Sequence, residues 1–130
     1  MKTINEFINA NKIRITNEWA DTNRNNPDWK DANHYKVVLK MDNRQLTTYF
    51  SQGYGISGEP TAESVLNCLA SDTSGFENAR NFEDWANEYG YDTDSRKAER
   101  IYRVIERQTK QLKRFLGDKY DELLYDTESL

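Results

Sequence analysis

A chain of 130 residues is long enough to bury one hydrophobic core without disulfides or metals. Its 31% charged residues keep it soluble, the 12% aromatic share argues against a disordered segment, and no apolar run approaches the ~20 residues that cross a bilayer. The formal net charge of −4 is unevenly spread, with eight Lys/Arg against four Asp/Glu over residues 92–115, so the remainder carries −8. That division suits neither a dedicated nucleic-acid binder nor a uniformly acidic DNA mimic.

In chain order, Thr3 and Glu6 have the spacing of a capping box, in which the hydroxyl serves the amide three residues on and the carboxylate reaches back. A short helix follows with Ile4, Phe7 and Ile8 inward and Asn11 as its left-handed stop. Residues 12–19 alternate Ile13, Ile15 and Trp19 with Arg14, Thr16 and Glu18, the period of a half-buried strand. The Asn- and Asp-rich stretch 21–34, with Pro27, reads as a loop. Tyr35, Val37, Leu39 and Met41 then alternate with Lys36 and Lys40, Asp42-Asn43 supplies a turn that tolerates positive φ, and residues 46–51 return, completing a three-stranded antiparallel meander.

Beyond Gly53 the period changes. Pro60 or Thr61 opens a helix bearing Val65, Leu66 and Leu69, which the run Ser71-Asp72-Thr73-Ser74-Gly75 closes. Asn81 caps a short helix through Phe82, Trp85 and Tyr89, all three inward, with Gly90 as its stop. The longest helical period starts at Asp94 or Ser95 and ends at Gly117. Ala98, Ile101, Ile105, Leu112 and Phe115, with Gln108 in the remaining slot, form its apolar stripe; Arg96, Arg100, Arg103, Arg107, Lys110 and Arg114 form a second stripe opposite. A last helix from Asp118, with Tyr120, Leu123 and Leu124, folds back before residues 127–130 fray. Strands early and helices late give an α+β fold in a single domain, with a short helix and antiparallel strands in residues 1–55 and helices in 59–126 packed on one face of the small sheet.

No catalytic constellation emerges. Gly53-Tyr54-Gly55-Ile56-Ser57-Gly58 is literally G-x-G-x-x-G, but a dinucleotide fingerprint needs a parallel βαβ unit, whereas this strand returns from a hairpin. A flexible strand-to-helix turn is the better reading. Asp92-Thr93-Asp94-Ser95 imitates the start of an EF-hand loop, yet Arg96, Lys97 and Arg103 fall where calcium needs oxygen or glycine. Those residues suit a helix start. The only histidine, His34, falls in the predicted loop, and Cys68 on a helix is the only thiol, so a zinc site lacks ligands and a buried structural cysteine is expected. A single cysteine also forms no internal disulfide, which fits a reducing cytoplasm, and the N-terminus lacks a signal-peptide core. No cofactor or metal is expected.

The basic stripe is the remaining candidate. Glu99 precedes Arg103 by four residues and Glu106 precedes Lys110 by four, the spacing of stabilising helical pairs, so a solvated face is the bland alternative. Arginine also suits phosphates and protein interfaces. Tyr54, with other unconstrained aromatics, is the second candidate surface, and Phe82, Trp85, Tyr89 and Tyr91 read as core more than as a base-stacking platform.

The opening Thr3-Ile4-Asn5-Glu6-Phe7-Ile8, the run Val65-Leu66-Asn67-Cys68-Leu69-Ala70-Ser71-Asp72, Phe82-Glu83-Asp84-Trp85, Tyr89-Gly90-Tyr91-Asp92-Thr93-Asp94-Ser95-Arg96-Lys97-Ala98-Glu99 and Leu112-Lys113-Arg114-Phe115-Leu116-Gly117 resemble a family of small accessory proteins of tailed bacteriophages and prophages. The resemblance spans nearly the whole chain and carries over no catalytic or binding residue. It implies a protein made in the host bacterial cytoplasm that acts without catalysis, by binding a host or phage protein, in the manner of an anti-CRISPR or other anti-defence inhibitor of a nucleic-acid-handling complex. The alternative is a nucleic-acid-binding protein of phage replication or transcription. Partner-binding residues on the first reading are Arg96, Arg100, Arg103, Arg107, Lys110, Arg114 and Tyr54.

Overall fold

The computed structural model describes residues 1–20, 29 and 31–128. Strand β1 (Lys2–Thr3) leads directly into α1 (Ile4–Asn11), whose first turn carries the capping box: Thr3 Oγ1 accepts from Glu6 N at 3.1 Å and Glu6 Oε1 from Thr3 N at 3.3 Å. Ile4, Phe7 and Ile8 are buried. The left-handed stop falls on Lys12, at φ 53, one residue after the expected Asn11, because Asn11 remains helical and turns its side-chain amide back onto Phe7 O at 2.9 Å.

Three strands follow, β2 (Arg14–Ala20), β3 (Ala32–Met41) and β4 (Arg44–Gly53), in the antiparallel order β2-β3-β4. The pairing of Met41 with Arg44 leaves only Asp42 and Asn43 in the turn, and Asp42 takes φ 55. Most of the expected loop 21–34 lies outside the described residues, but Ala32–His34 belongs to β3 and not to a loop. Because facing residues share a side, the register sets Ile15, Asn17 and Trp19 with Leu39, Val37 and Tyr35 and with Leu46, Thr48 and Phe50. That side meets the helices. Trp19 stays 61% exposed even so: it lies near the end of an edge strand, and the ring it meets is Tyr35, edge-on at 5.7 Å.

The C-terminal half is helical. α2 (Ala62–Asn78) is capped by Thr61 with Ser64, α3 (Phe82–Glu88) by Asn81, and α4 (Arg96–Leu116) by Ser95, whose Oγ accepts from Ala98 N at 3.2 Å. A 3-10 turn at Gly117–Lys119 then leads to α5 (Tyr120–Tyr125). α2 does not close at 71–75 as its polar run suggests; Gly75 lies in its interior, and a Cβ there would stand 2.1 Å from the Tyr89 hydroxyl oxygen. The glycine serves as the floor for a ring from the next helix. Tyr89 accordingly lies beyond the end of α3, 52% exposed, instead of inward with Trp85.

Thr127 and Glu128 do not fray as expected, and residues 129 and 130 lie outside the described residues. Thr127–Glu128 forms β5, which pairs in parallel with β1, and Thr127 Oγ1 donates to Glu122 O at 2.8 Å. These bonds satisfy backbone groups at both ends of the described chain.

One core joins the two halves: Ile4 and Phe7 of α1, Val37 and Leu39 of β3, Leu66 and Leu69 of α2, Leu112 and Phe115 of α4 and Leu123 of α5 belong to the same buried cluster. A second cluster gathers Trp85, Ala86, Ala98, Tyr102 and Ile105, where Trp85 stacks on Tyr91 at 5.3 Å and 9°. Trp85 is 3% exposed, so it packs as core and offers no stacking platform.

Candidate functional site

On α4 the buried positions are Ala98, Tyr102, Ile105, Thr109, Leu112, Phe115 and Leu116. The seam is therefore rotated from the expected one, with Ile101 and Gln108 only half-buried and Tyr102, Thr109 and Leu116 taken inside. Thr109 is accommodated because its hydroxyl donates to Thr73 Oγ1 of α2 at 3.2 Å. Six of the seven buried positions, 98, 102, 105, 109, 112 and 116, each follow a residue of the expected cationic stripe by two. At ~100° per residue that is ~200°, nearly the opposite side of the helix.

Arg96, Arg100, Arg103, Arg107, Lys110 and Arg114 are accordingly all exposed, on a line that at 1.5 Å per residue runs ~27 Å along α4. The expected pairs within this line are replaced. Glu106 does not reach forward to Lys110 but back to Arg103, at 3.2 Å, and Arg103 also lies 5.4 Å over the Tyr102 ring. Lys113, on the flank, is drawn to α2, where Glu77 lies at 2.7 Å and also accepts from Tyr120 Oη at 2.9 Å. The Lys113 ammonium, hydrogen-bonded to Glu77, holds that carboxyl below its usual range, while burial, with the Glu77 contact second, raises the Tyr120 phenol. Tyr54, the other candidate, is 59% exposed in the turn between β4 and α2, on the far side of β4 from its hairpin, and is not a neighbour of the cationic line in sequence or element.

The groups with potential chemistry are each engaged elsewhere. His34 is fully buried on β3, where Nδ1 meets Ser51 Oγ and Nε2 lies 3.1 Å from Trp29 O; a carbonyl only accepts, so Nε2 carries a hydrogen. Cys68 is exposed, contrary to the expected buried position, because it falls on the outer side of α2 between the buried Leu66 and Leu69. The packing around its sulfur and the Asp72 carboxylate 3.8 Å away push the thiol up to about 11, away from the thiolate needed of a nucleophile. Burial in turn raises Asp72. The Gly53–Gly58 run follows an antiparallel strand and precedes the Thr61 cap, so it is a turn; Gln52 Nε2 binds Gly58 O at 3.0 Å and Asn17 Nδ2 binds Pro60 O at 2.8 Å, tying it to the sheet.

Two concave features went unread in the sequence. A cleft of about 550 Å³ lies between α2, α3 and α5, lined among others by Ser71, Ser74, Asn78, Asp84, Glu88 and Leu123. A shallower notch of about 360 Å³ lies where β4 meets the end of α4. Each draws residues from elements far apart in the chain, and no local spacing announces them. No family model matches the chain, no curated protein is detectably similar to it, and no solved structure matches its fold. Among the described residues no helix is long and apolar enough to cross a membrane.

Proposed function

We propose that the protein works without chemistry, by laying the cationic side of α4 on an acidic surface of another protein. With the resemblance to phage accessory proteins, that partner is a host defence complex that handles nucleic acid, and the protein is an anti-CRISPR-like inhibitor in the bacterial cytoplasm. The observation that carries the reading is the uniform exposure of six cations on one side of a helix in a chain of net charge −4. Five successive like-charge pairs at helical spacing cost ~0.2–0.5 kcal/mol each, or roughly 1–2.5 kcal/mol together, and packing of the apolar seam does not require them. An acidic partner would offset that cost and steer association.

The test is a phage-challenge assay in a host with active CRISPR immunity. Expression of the protein should restore plaque formation, and the double reversal Arg100→Glu/Arg107→Glu should lose the effect while retaining its circular dichroism and melting temperature. Full protection by the reversed variant would sink the reading. The alternative, a nucleic-acid-binding role in phage replication or transcription, is favoured by the five guanidiniums in the line. It requires binding of DNA or RNA that weakens steeply with salt.

A further inference from the structure

α4 and β4 run in opposite directions past one another, and their contacts keep that order. Gln108 Nε2 donates to Thr48 Oγ1 at 3.2 Å, and Gln111 Nε2 to Thr47 O at 3.4 Å. One turn further along α4, the same progression brings Arg114 and Phe115 to Gln45 and Leu46, and the helix end to Arg44. Here the notch of about 360 Å³ opens, with Arg44, Gln45, Gln111 and Arg114 around Leu46 and Phe115.

The notch is held from below and from the side. Leu46 and Phe115 are 3% and 2% exposed, so its floor belongs to the core. The Gln111 bond to the β4 backbone fixes its wall. Arg44 crosses the α4 terminus at Gly117, where a Cβ would come within 2.7 Å of Arg44 Nη1, so the glycine that ends the helix at φ 57 also leaves room for the guanidinium. The negative end of the helix favours cations here. Neither the Arg44 nor the Arg114 side chain has an ion pair or hydrogen bond among the described residues.

We infer that this notch anchors the cationic side of α4, taking the carboxylate of an acidic side chain from a protein partner between the guanidiniums of Arg44 and Arg114. The inference rests on the proposed protein-binding function and names the point at which that surface grips. Two forked donors lining one recess match a planar oxyanion, and the second N–H of the Gln111 amide lies beside it. Lys110 and Arg107, one and two turns back along α4, continue the same charge outward. A carboxylate on a folded partner fits better than a phosphate backbone, because such a partner can set neutral or cationic groups opposite Asp118 and Asp121, exposed just past Gly117, whereas a phosphate backbone is negative at every nucleotide.

The experiment is a side-chain arginine NMR titration of the full chain with a hexaglutamate peptide and, separately, with a single-stranded DNA hexamer. Hexaglutamate should shift the Arg44 and Arg114 signals. Arg44→Gln and Arg114→Gln should each weaken its binding about fivefold, Arg44→Lys should restore only part because it lacks the fork, and Lys113→Gln should leave affinity unchanged. Melting temperatures of all variants separate loss of the notch from loss of the fold. Shifts confined to Arg100 and Arg107 would overturn the anchor and leave the cationic surface standing; no arginine shift at all would overturn both. Tighter binding of the DNA hexamer at Arg44 and Arg114 would assign the notch to phosphate and overturn the inference as well.

Discussion

Replacing Gly75 by Ala tests why α2 continues through a run that reads as a helix end. In an exposed helix interior the change gains about 1 kcal/mol, because glycine loses more backbone freedom and alanine is the best helix former. Here the new Cβ would meet Tyr89 Oη at 2.1 Å and Cζ at 2.9 Å, so the ring must leave. Tyr89 is 52% exposed, and its ring centroid lies 5.6 Å from that of Trp85. A tyrosine with about half of its ~200 Å² covered buries roughly 100 Å², worth at most ~2.5 kcal/mol at ~25 cal/mol per Å²; about 1–2 kcal/mol is a realistic loss. Gly75→Ala should therefore be neutral or destabilising by up to about 1 kcal/mol, Tyr89→Ala destabilising by about 1–2 kcal/mol, and Gly75→Ala in the Tyr89→Ala background stabilising by about 1 kcal/mol. Urea unfolding of the four proteins gives the coupling directly, and in thermal melts 1 kcal/mol corresponds to about 3–5 °C for a chain of this size. If Gly75→Ala stabilises equally in both backgrounds, Tyr89 does not occupy the glycine's open side and the account of α2 is wrong.

Two further outcomes follow, one from a buried threonine pair the sequence did not announce and one from a cysteine expected inside. Thr109→Val leaves the Thr73 hydroxyl buried without its partner and should cost about 1–3 kcal/mol, whereas Thr73→Val/Thr109→Val should recover most of that loss; a double variant as unstable as the single in urea would show that the pair is not hydrogen-bonded. Cys68, with its thiol raised to about 11 from an ordinary 9.0, should be alkylated by iodoacetamide at pH 8 about 10-fold more slowly than a free cysteine peptide, the smaller thiolate fraction being partly offset by greater intrinsic nucleophilicity. Asp72→Asn should speed the reaction, since it removes a charge that opposes the thiolate. A wild-type rate equal to that of the peptide would remove the argument against a reactive Cys68.

Local chemistry in the sequence determined much of the fold. The Thr3/Glu6 box, the Asp42-Asn43 turn, the Thr61, Asn81 and Ser95 caps and the Gly90 and Gly117 stops each act within a few residues, so they are legible without knowledge of what lies across the molecule. The alternation of 35–41 and the charge line of 96–114 are likewise local periods. Tertiary structure decided what those periods left degenerate. Ile101 and Tyr102 are neighbours on the border of the seam, and only the rings of Phe76, Phe82 and Trp85 determine that Tyr102 turns inward. Thr109 is buried with Thr73 opposite, Gly75 carries the Tyr89 ring on its open side, and Thr127–Glu128 is a strand because it pairs with β1. The notch is lined by Arg44 and Arg114, 70 positions apart, and is set by how α4 packs along β4 and by no spacing within either.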